Sequence, residues 1–285
     1  GEVTSCKGYS EHSTISLRPS IAKVIRMPID VFVTTATAVA LYMLTFWLVS
    51  IALKDVSIVD ISWGLGFVLV TWVSRWAGDG EGARSMLQAI LVTIWGVRLG
   101  GYLLRRNWGH AEDYRYAAMR RRVGPSYTYK SIYMVFGLQG VLILAVSLPV
   151  VAMQSFPSVA PLGVLDAVAA VMFAIGFYFE AAGDQQLTAF KANPDNEGKV
   201  LDTGVWAWTR HPNYFGDALQ WWAFGLMALS VPGAAWVLIG PAIMTFMLLR
   251  VSGVRLLERG LRKRKAGYGD YSERVPSFIP RPPRS

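Results

Sequence analysis

Apolar residues run along this chain in long blocks rather than in two-residue alternation. Seven blocks reach the length of about 20 residues that a helix needs to cross a bilayer. They lie at roughly 29–53, 56–77, 85–104, 131–153, 162–183, 213–231 and 233–255. The pattern predicts an all-α integral membrane protein, a seven-transmembrane-helix bundle over 29–255. Residues 1–28 read as a polar N-terminal extension along the membrane surface, without a signal-peptide pattern, and 256–285 as a basic tail. No internal repeat relates one block to another, so a repeat-built transporter is not indicated.

Composition agrees with lipid as the main solvent. The chain is 53% hydrophobic and 16% charged, where a soluble domain carries about 25% charged residues. The mean hydropathy is +0.35. A single cysteine, Cys6, excludes an internal disulfide and a cysteine metal cluster.

The formal charge of +9 raises the question of nucleic acid, but its distribution fits membrane orientation better. Arg105, Arg106, Arg115, Arg120, Arg121, Arg122 and Lys130 crowd the connection after the third block, and Lys191, Lys199 and Arg210 fall in the one after the fifth. The 154–161 connection has no Lys or Arg. Positive residues concentrate on the cytoplasmic side. The expected topology therefore has the N-terminus outside and the C-terminus cytoplasmic, as in a bacterial inner membrane. Nothing in the sequence calls for nucleic acid or an obligatory protein partner.

Ionisable residues inside apolar blocks are costly and mark candidate sites. Asp60 in "SIVDISWGLGF" is either a proton-transferring acid or a structural partner for Arg98. Trp95, Arg98 and Tyr102 share one face of the third block, with Arg105 and Arg106 a turn beyond as positive-inside residues. Glu180 and Asp184 are one turn apart and serve either polar ligand groups or nearby arginines. In "TRHPNYFGD", Pro212 suits the first position of a helix, and the helix N-terminus beside Arg210 and His211 suits an anion. Asn213, Tyr214 and Asp217 share the face that follows. The tail, with Tyr268 and Tyr271 among basic residues, reads as a surface-bound segment or a lid. Neither a G-x-G-x-x-G after a strand, nor a Walker A sequence, nor HExxH is present, which excludes a Rossmann domain and a P-loop motor; three histidines argue against a His-rich metal oxidase.

"RHPNYFGD", preceded by "TGVWAWT" and followed by "YSERVPSFIP", resembles the C-terminal domain of the steroid 5-alpha-reductase family. More narrowly it resembles bacterial members of the DUF1295 type, from about Val56 to the C-terminus. The resemblance implies a helical membrane reductase that takes NADPH from the cytosol and a lipophilic, steroid-like enone from the bilayer. It places the catalytic carboxylate on Asp60 and the catalytic tyrosine position on Trp95. An indole N–H donates a hydrogen bond but is no acid, so Tyr102 or another phenol would take the role, or Asp60 would work alone. It further implies that Arg98, Asp184, Lys191, Asn213 and Asp217 hold the cofactor, with looser matches near Arg250, Arg255 and Glu258; Arg106, Arg210, His211 and Tyr214 complete the expected cofactor-binding set. The R-H-P-x-Y-x-G pattern also occurs in membrane methyltransferases, so an S-adenosylmethionine-dependent lipid or isoprenylcysteine methyltransferase is the alternative. A non-catalytic lipid-binding protein is the third reading.

Overall fold

A computed structural model describes residues 28–157, 161–251, 254, 257, 258, 260, 261, 265 and 267–283. The expected N-terminal extension and Arg255 lie outside the described residues. Among those described, all regular structure is helical.

The first three apolar blocks each fold as one helix: α1 (Ile29–Leu53), α2 (Ile58–Ala77) and α3 (Ala83–Asn107). The basic connection then forms the short helix α4 (Tyr114–Val123). Asp113 caps it by accepting the Arg115 N–H, and Gly124 ends it at φ 77°, a conformation that favours glycine.

The fourth block is a correction to the sequence reading. In place of one helix over 131–153 there is α5 (Tyr127–Ser131), a π turn (Ile132–Gly137), α6 (Leu138–Val146), a break at Ser147, and α7 (Leu148–Ser155). Pro149 accounts for the break. It has no N–H to give and its ring crowds the carbonyl four residues back, so a helix restarts there rather than running through.

The fifth block is α8 (Val164–Ala192), 29 residues or about 44 Å long. That outruns a hydrocarbon core of about 30 Å, so the helix leaves the apolar layer near Asp184 if it enters near Val164. Next come a 3₁₀ turn (Gly204–Ala207) and α9 (Pro212–Ala228), with Pro212 at its first position as expected. The last block opens as a 3₁₀ turn (Ala234–Leu238), continues as α10 (Ile239–Phe246) and loosens into a π turn (Met247–Val251). A final short helix is α11 (Tyr268–Arg274).

Among the described residues, six helical stretches are long and apolar enough to cross a membrane: Ile29–Leu53, Ile58–Ala77, Ala83–Asn107, Tyr127–Val146, Val164–Ala192 and Ala234–Val251. They mark an integral membrane protein. Where seven spans were expected, the stretch that falls short is α9, with 17 residues. It is packed among the others, with Ala218, Gln220, Trp221, Ala223, Phe224, Met227 and Ala228 all buried.

Two glycine contacts set the helix pairs. Gly64 of α2 lies against Gly96 of α3, and a Cβ on Gly64 would stand 2.6 Å from the Gly96 carbonyl oxygen. Gly176 of α8 lies in the same way against Gly216 of α9. Backbones this close maximise van der Waals contact, which replaces the hydrophobic drive that lipid removes. A core of Phe67, Trp95, Trp221 and Phe224 fills the space between the two pairs, with ring centroids 4.5–5.5 Å apart along the chain of contacts.

The bundle has two polar ends. At one, Arg84 of α3 grips Asp166 of α8 through two hydrogen bonds of 2.6 and 2.8 Å, and Arg75, Ser85, Gln88 and Gln154 form a connected network. The other carries the basic connections and the candidate site.

Candidate functional site

The site is built on α3, α8 and α9. Arg98 reaches from α3 and forks between two acids of α8. Its Nη1 donates to Glu180 Oε1 at 2.8 Å and its Nη2 to Asp184 Oδ2 at 2.7 Å. The other oxygen of Glu180 accepts from the Trp95 indole at 3.0 Å and from Gln220 Nε2 at 2.6 Å. The other oxygen of Asp184 accepts from Asn213 Nδ2 at 3.2 Å. Glu180 is 3% exposed and Trp95 and Gln220 are fully buried. Each shared carboxylate thus has donors on both oxygens, which is what makes a buried acid tolerable.

Asp217 stands apart from this satisfaction. It lies on α9 one turn beyond Asn213, and its Oδ1 is shut from solvent with no hydrogen-bond donor. Gln220 Oε1 and Trp221 Nε1, on the same face of α9, are likewise buried and unmet among the described residues. The Trp221 indole leans toward Asp217 without the geometry of a full hydrogen bond.

Of the residues that the sequence marked, the structure brings together Trp95, Arg98, Tyr102, Glu180, Asp184, Asn213 and Asp217. Tyr102 is a peripheral member. Its hydroxyl is 3.5 Å from Thr188 Oγ1, and Arg98 and Arg106 lie 5.4 and 5.7 Å from its ring centre. Tyr214 stacks on the His211 ring, with centroids 5.6 Å apart and planes within 4°. Lys191 sits further out, beside a cavity of about 250 Å³ lined by Phe190, Asn193, Asn196, Glu197 and Lys265.

Asp60 is not part of this group. Its structural partner is not Arg98. The Arg115 guanidinium donates to Asp60 Oδ2 at 2.6 Å and the Tyr116 hydroxyl to Oδ1 at 2.7 Å. Asp60 thus accepts on both oxygens, and both donors come from α4. Arg115 is also held by Asp113 at 2.9 Å. Nearby, Arg120 forks onto Glu112, whose Oε1 takes the Val56 N–H at 3.0 Å. Burial pushes the Tyr116 phenol upward, and the Asp60 charge and hydrogen bond add to that. Burial pushes Glu112 upward too, but the hydrogen bonds from Arg120 and Val56 outweigh it and hold the carboxyl below its usual range. Together these contacts dock α4 onto the start of α2. Asp60→Ala leaves a buried phenol without its acceptor, so the melting transition in detergent should fall by the equivalent of about 1–2 kcal/mol. An unchanged transition would mean that the docking carries no load.

Arg210 and His211 also differ from expectation. The guanidinium does not face an open anion site. It pairs with Glu258 at 2.7 Å and donates to the carbonyls of Ser272 and Val275 at 2.7 and 2.5 Å. The Arg210 N–H bonds Pro276 O, Thr209 Oγ1 bonds Phe278 O, and Arg281 N–H bonds Trp208 O. His211 Nε2 lies 3.4 Å from Glu258. Burial raises the Glu258 carboxyl, but the His211 and Arg210 hydrogen bonds outweigh it and lower it overall. The motif thus clasps the C-terminal segment against the start of α9. The tail, expected as a surface-bound segment or a lid, is over 271–281 a strap held by side-chain and backbone bonds from 206–210.

A family model described as a protein of unknown function (DUF1295) matches residues 46–275. The chain belongs to the DUF1295 family. The matched region holds α2 through α11, and with them the α3–α8–α9 cluster, the Asp60 group and the Arg210 clasp as far as Val275. An uncharacterised protein of Schizosaccharomyces pombe is 28% identical over 268 aligned positions, which cover 82% of this chain and 75% of the relative. No solved structure matches.

Some members of the site escaped sequence reading. Gln220 is one of them. A glutamine inside an apolar helix is a visible signal, but its target lies 40 positions earlier on another helix. Beside Asp60, Arg115 was counted only as loop charge and Tyr116 was not singled out.

Proposed function

We propose that this chain is an integral membrane reductase that uses NADPH to saturate the carbon–carbon double bond of a lipophilic enone, most simply a 3-oxo-delta-4-steroid. The observation that carries the reading is the Trp95–Arg98–Glu180–Asp184–Asn213 group, a largely buried ionic cluster shared by α3, α8 and α9. Intramembrane ionisable groups of this kind are costly and are kept for function. In the proposed topology α9 serves as the seventh span and the basic connections face the cytosol.

The residues present fit a dinucleotide. Arg106 hydrogen-bonds its neighbour Asn107 and is spent on no acid among the described residues. Lys191 stands at the cavity beyond α8. Arg106 and Lys191 lie about two turns along α3 and α8 from Arg98 and Asp184, as cations suited to phosphate groups. Bound there, NADPH would supply the hydride. Arg98 and Asn213 would orient its polar groups, and the aromatic wall of Phe67, Trp95 and Trp221 would exclude water. An enone carbonyl needs a hydrogen-bond donor as charge develops on its oxygen. The apolar substrate enters from lipid and the charged cofactor from water, which a site at the membrane boundary allows.

The alternative is methyl transfer from S-adenosylmethionine to a lipid or prenyl-cysteine. A stabilisation screen on purified protein separates the two. NADPH or NADP should raise the melting transition and S-adenosylhomocysteine should not, and NADPH with progesterone should yield the 5-alpha-reduced product. Stabilisation by S-adenosylhomocysteine alone, or no product from a panel of enones together with no NADPH binding, would overturn the reductase.

A further inference from the structure

The α3–α8–α9 group contains three carboxyl groups and one guanidinium. Glu180 and Asp184 share Arg98, and each has a donor on both oxygens. Among the described residues, Asp217 makes no ion pair and its Oδ1 accepts no hydrogen bond. The charged groups that act on it are Glu180 and Asp184 from α8 and Arg98 from α3. The faces of α7 and α10 against α9 add no ionisable side chain, their sequences being LPVVAMQS and IGPAIMTF. The acid of α2, Asp60, is paired with Arg115 and Tyr116.

An ionised Asp217 would place a third negative charge beside two carboxylates that already share a single cation, with its Oδ1 shut from solvent. A neutral acid removes that repulsion and adds an O–H donor. The fully buried Gln220 has an unmet acceptor, Oε1, one turn along the same face of α9. We propose that Asp217 is a neutral carboxylic acid at neutral pH and, in the reductase reading above on which this role rests, the donor of the proton that completes reduction.

The step balances. Hydride from NADPH adds to the β-carbon of the enone with its electron pair, the double-bond electrons move toward the carbonyl, and the Asp217 proton goes to the α-carbon. The products are the saturated ketone, NADP⁺ and the Asp217 carboxylate, which takes its proton back from water. This changes the role of Asp217 from cofactor grip to acid, and it fills the place that Asp60 leaves as a two-fold acceptor.

Infrared difference spectroscopy on the full chain in lipid nanodiscs at pH 7 tests it without any turnover. Wild type minus Asp217→Asn should show the C=O stretch of a protonated carboxyl, shifted in D₂O. Asp217→Asn, a shape-matched neutral group, should melt with wild type, which separates the signal from misfolding. With NADPH and an enone, Asp217→Asn should lose turnover by on the order of 10²–10⁴-fold while its NADPH affinity stays within about twofold. A difference spectrum without the protonated band overturns the assignment. A protonated band in a protein that binds no NADPH and reduces no enone leaves the neutral acid standing and overturns the reductase reading. A band with turnover retained in Asp217→Asn overturns the proton-donor role.

Discussion

An Arg98→Ala protein should be destabilised by about 3–5 kcal/mol, the largest effect expected of any side-chain truncation in the site. The guanidinium is the counter-charge for both Glu180 and Asp184, 2.8 and 2.7 Å away, and its side chain is only 19% exposed. Removing it leaves two carboxylates with neutral donors alone. Arg98→Lys should recover only part of the loss, because an ammonium cannot fork across two acids as the planar guanidinium does. Melting curves in detergent check both, and the double change Arg98→Met with Glu180→Gln should be milder than Arg98→Ala. If Arg98→Ala melts like wild type, the cluster is hydrated and the premise of a dry ionic site fails.

Gly216→Val should be close behind, at about 3 kcal/mol or more, through backbone rather than charge. Gly216 is pressed against the Gly176 carbonyl and the backbone of Glu180, so a side chain there forces α8 and α9 apart. The damage would spread to the site, since Asp184 and Asn213 bond across that same seam. Gly101→Ala is the control. It faces open space with nothing within 4 Å, and alanine favours helix over glycine by up to about 1 kcal/mol. Gly101→Ala should therefore melt at or above wild type. Equal melting of Gly216→Val and wild type would show that the helices separate at little cost.

Much of the site was legible because helices repeat every 3.6 residues. That periodicity puts Trp95, Arg98 and Tyr102 on one face, and Asn213 and Asp217 on another, before any coordinates are known. It also places Pro212 at a helix start, where it is found. Pairing was not legible in the same way. Asp60 had Arg98 as its natural intramembrane partner, but the structure supplies Arg115 and Tyr116 from the loop helix α4. Arg210 read as an anion donor at a helix N-terminus because the chain that occupies it comes 62–65 residues later.

By itself the sequence determined the solvent of this protein, most of its helices and the faces on which the ionisable residues stand. These follow from hydrophobic length and helical repeat, which are local properties. The tertiary structure decided which acid has a cation and which does not. That depends on which helix faces meet, and therefore on the close seams at Gly64–Gly96 and Gly176–Gly216. One arginine at the junction is matched by two acids of α8, and the carboxyl of Asp217 on α9 is left over. Charge balance among three helices is a non-local quantity, and no single segment encodes it.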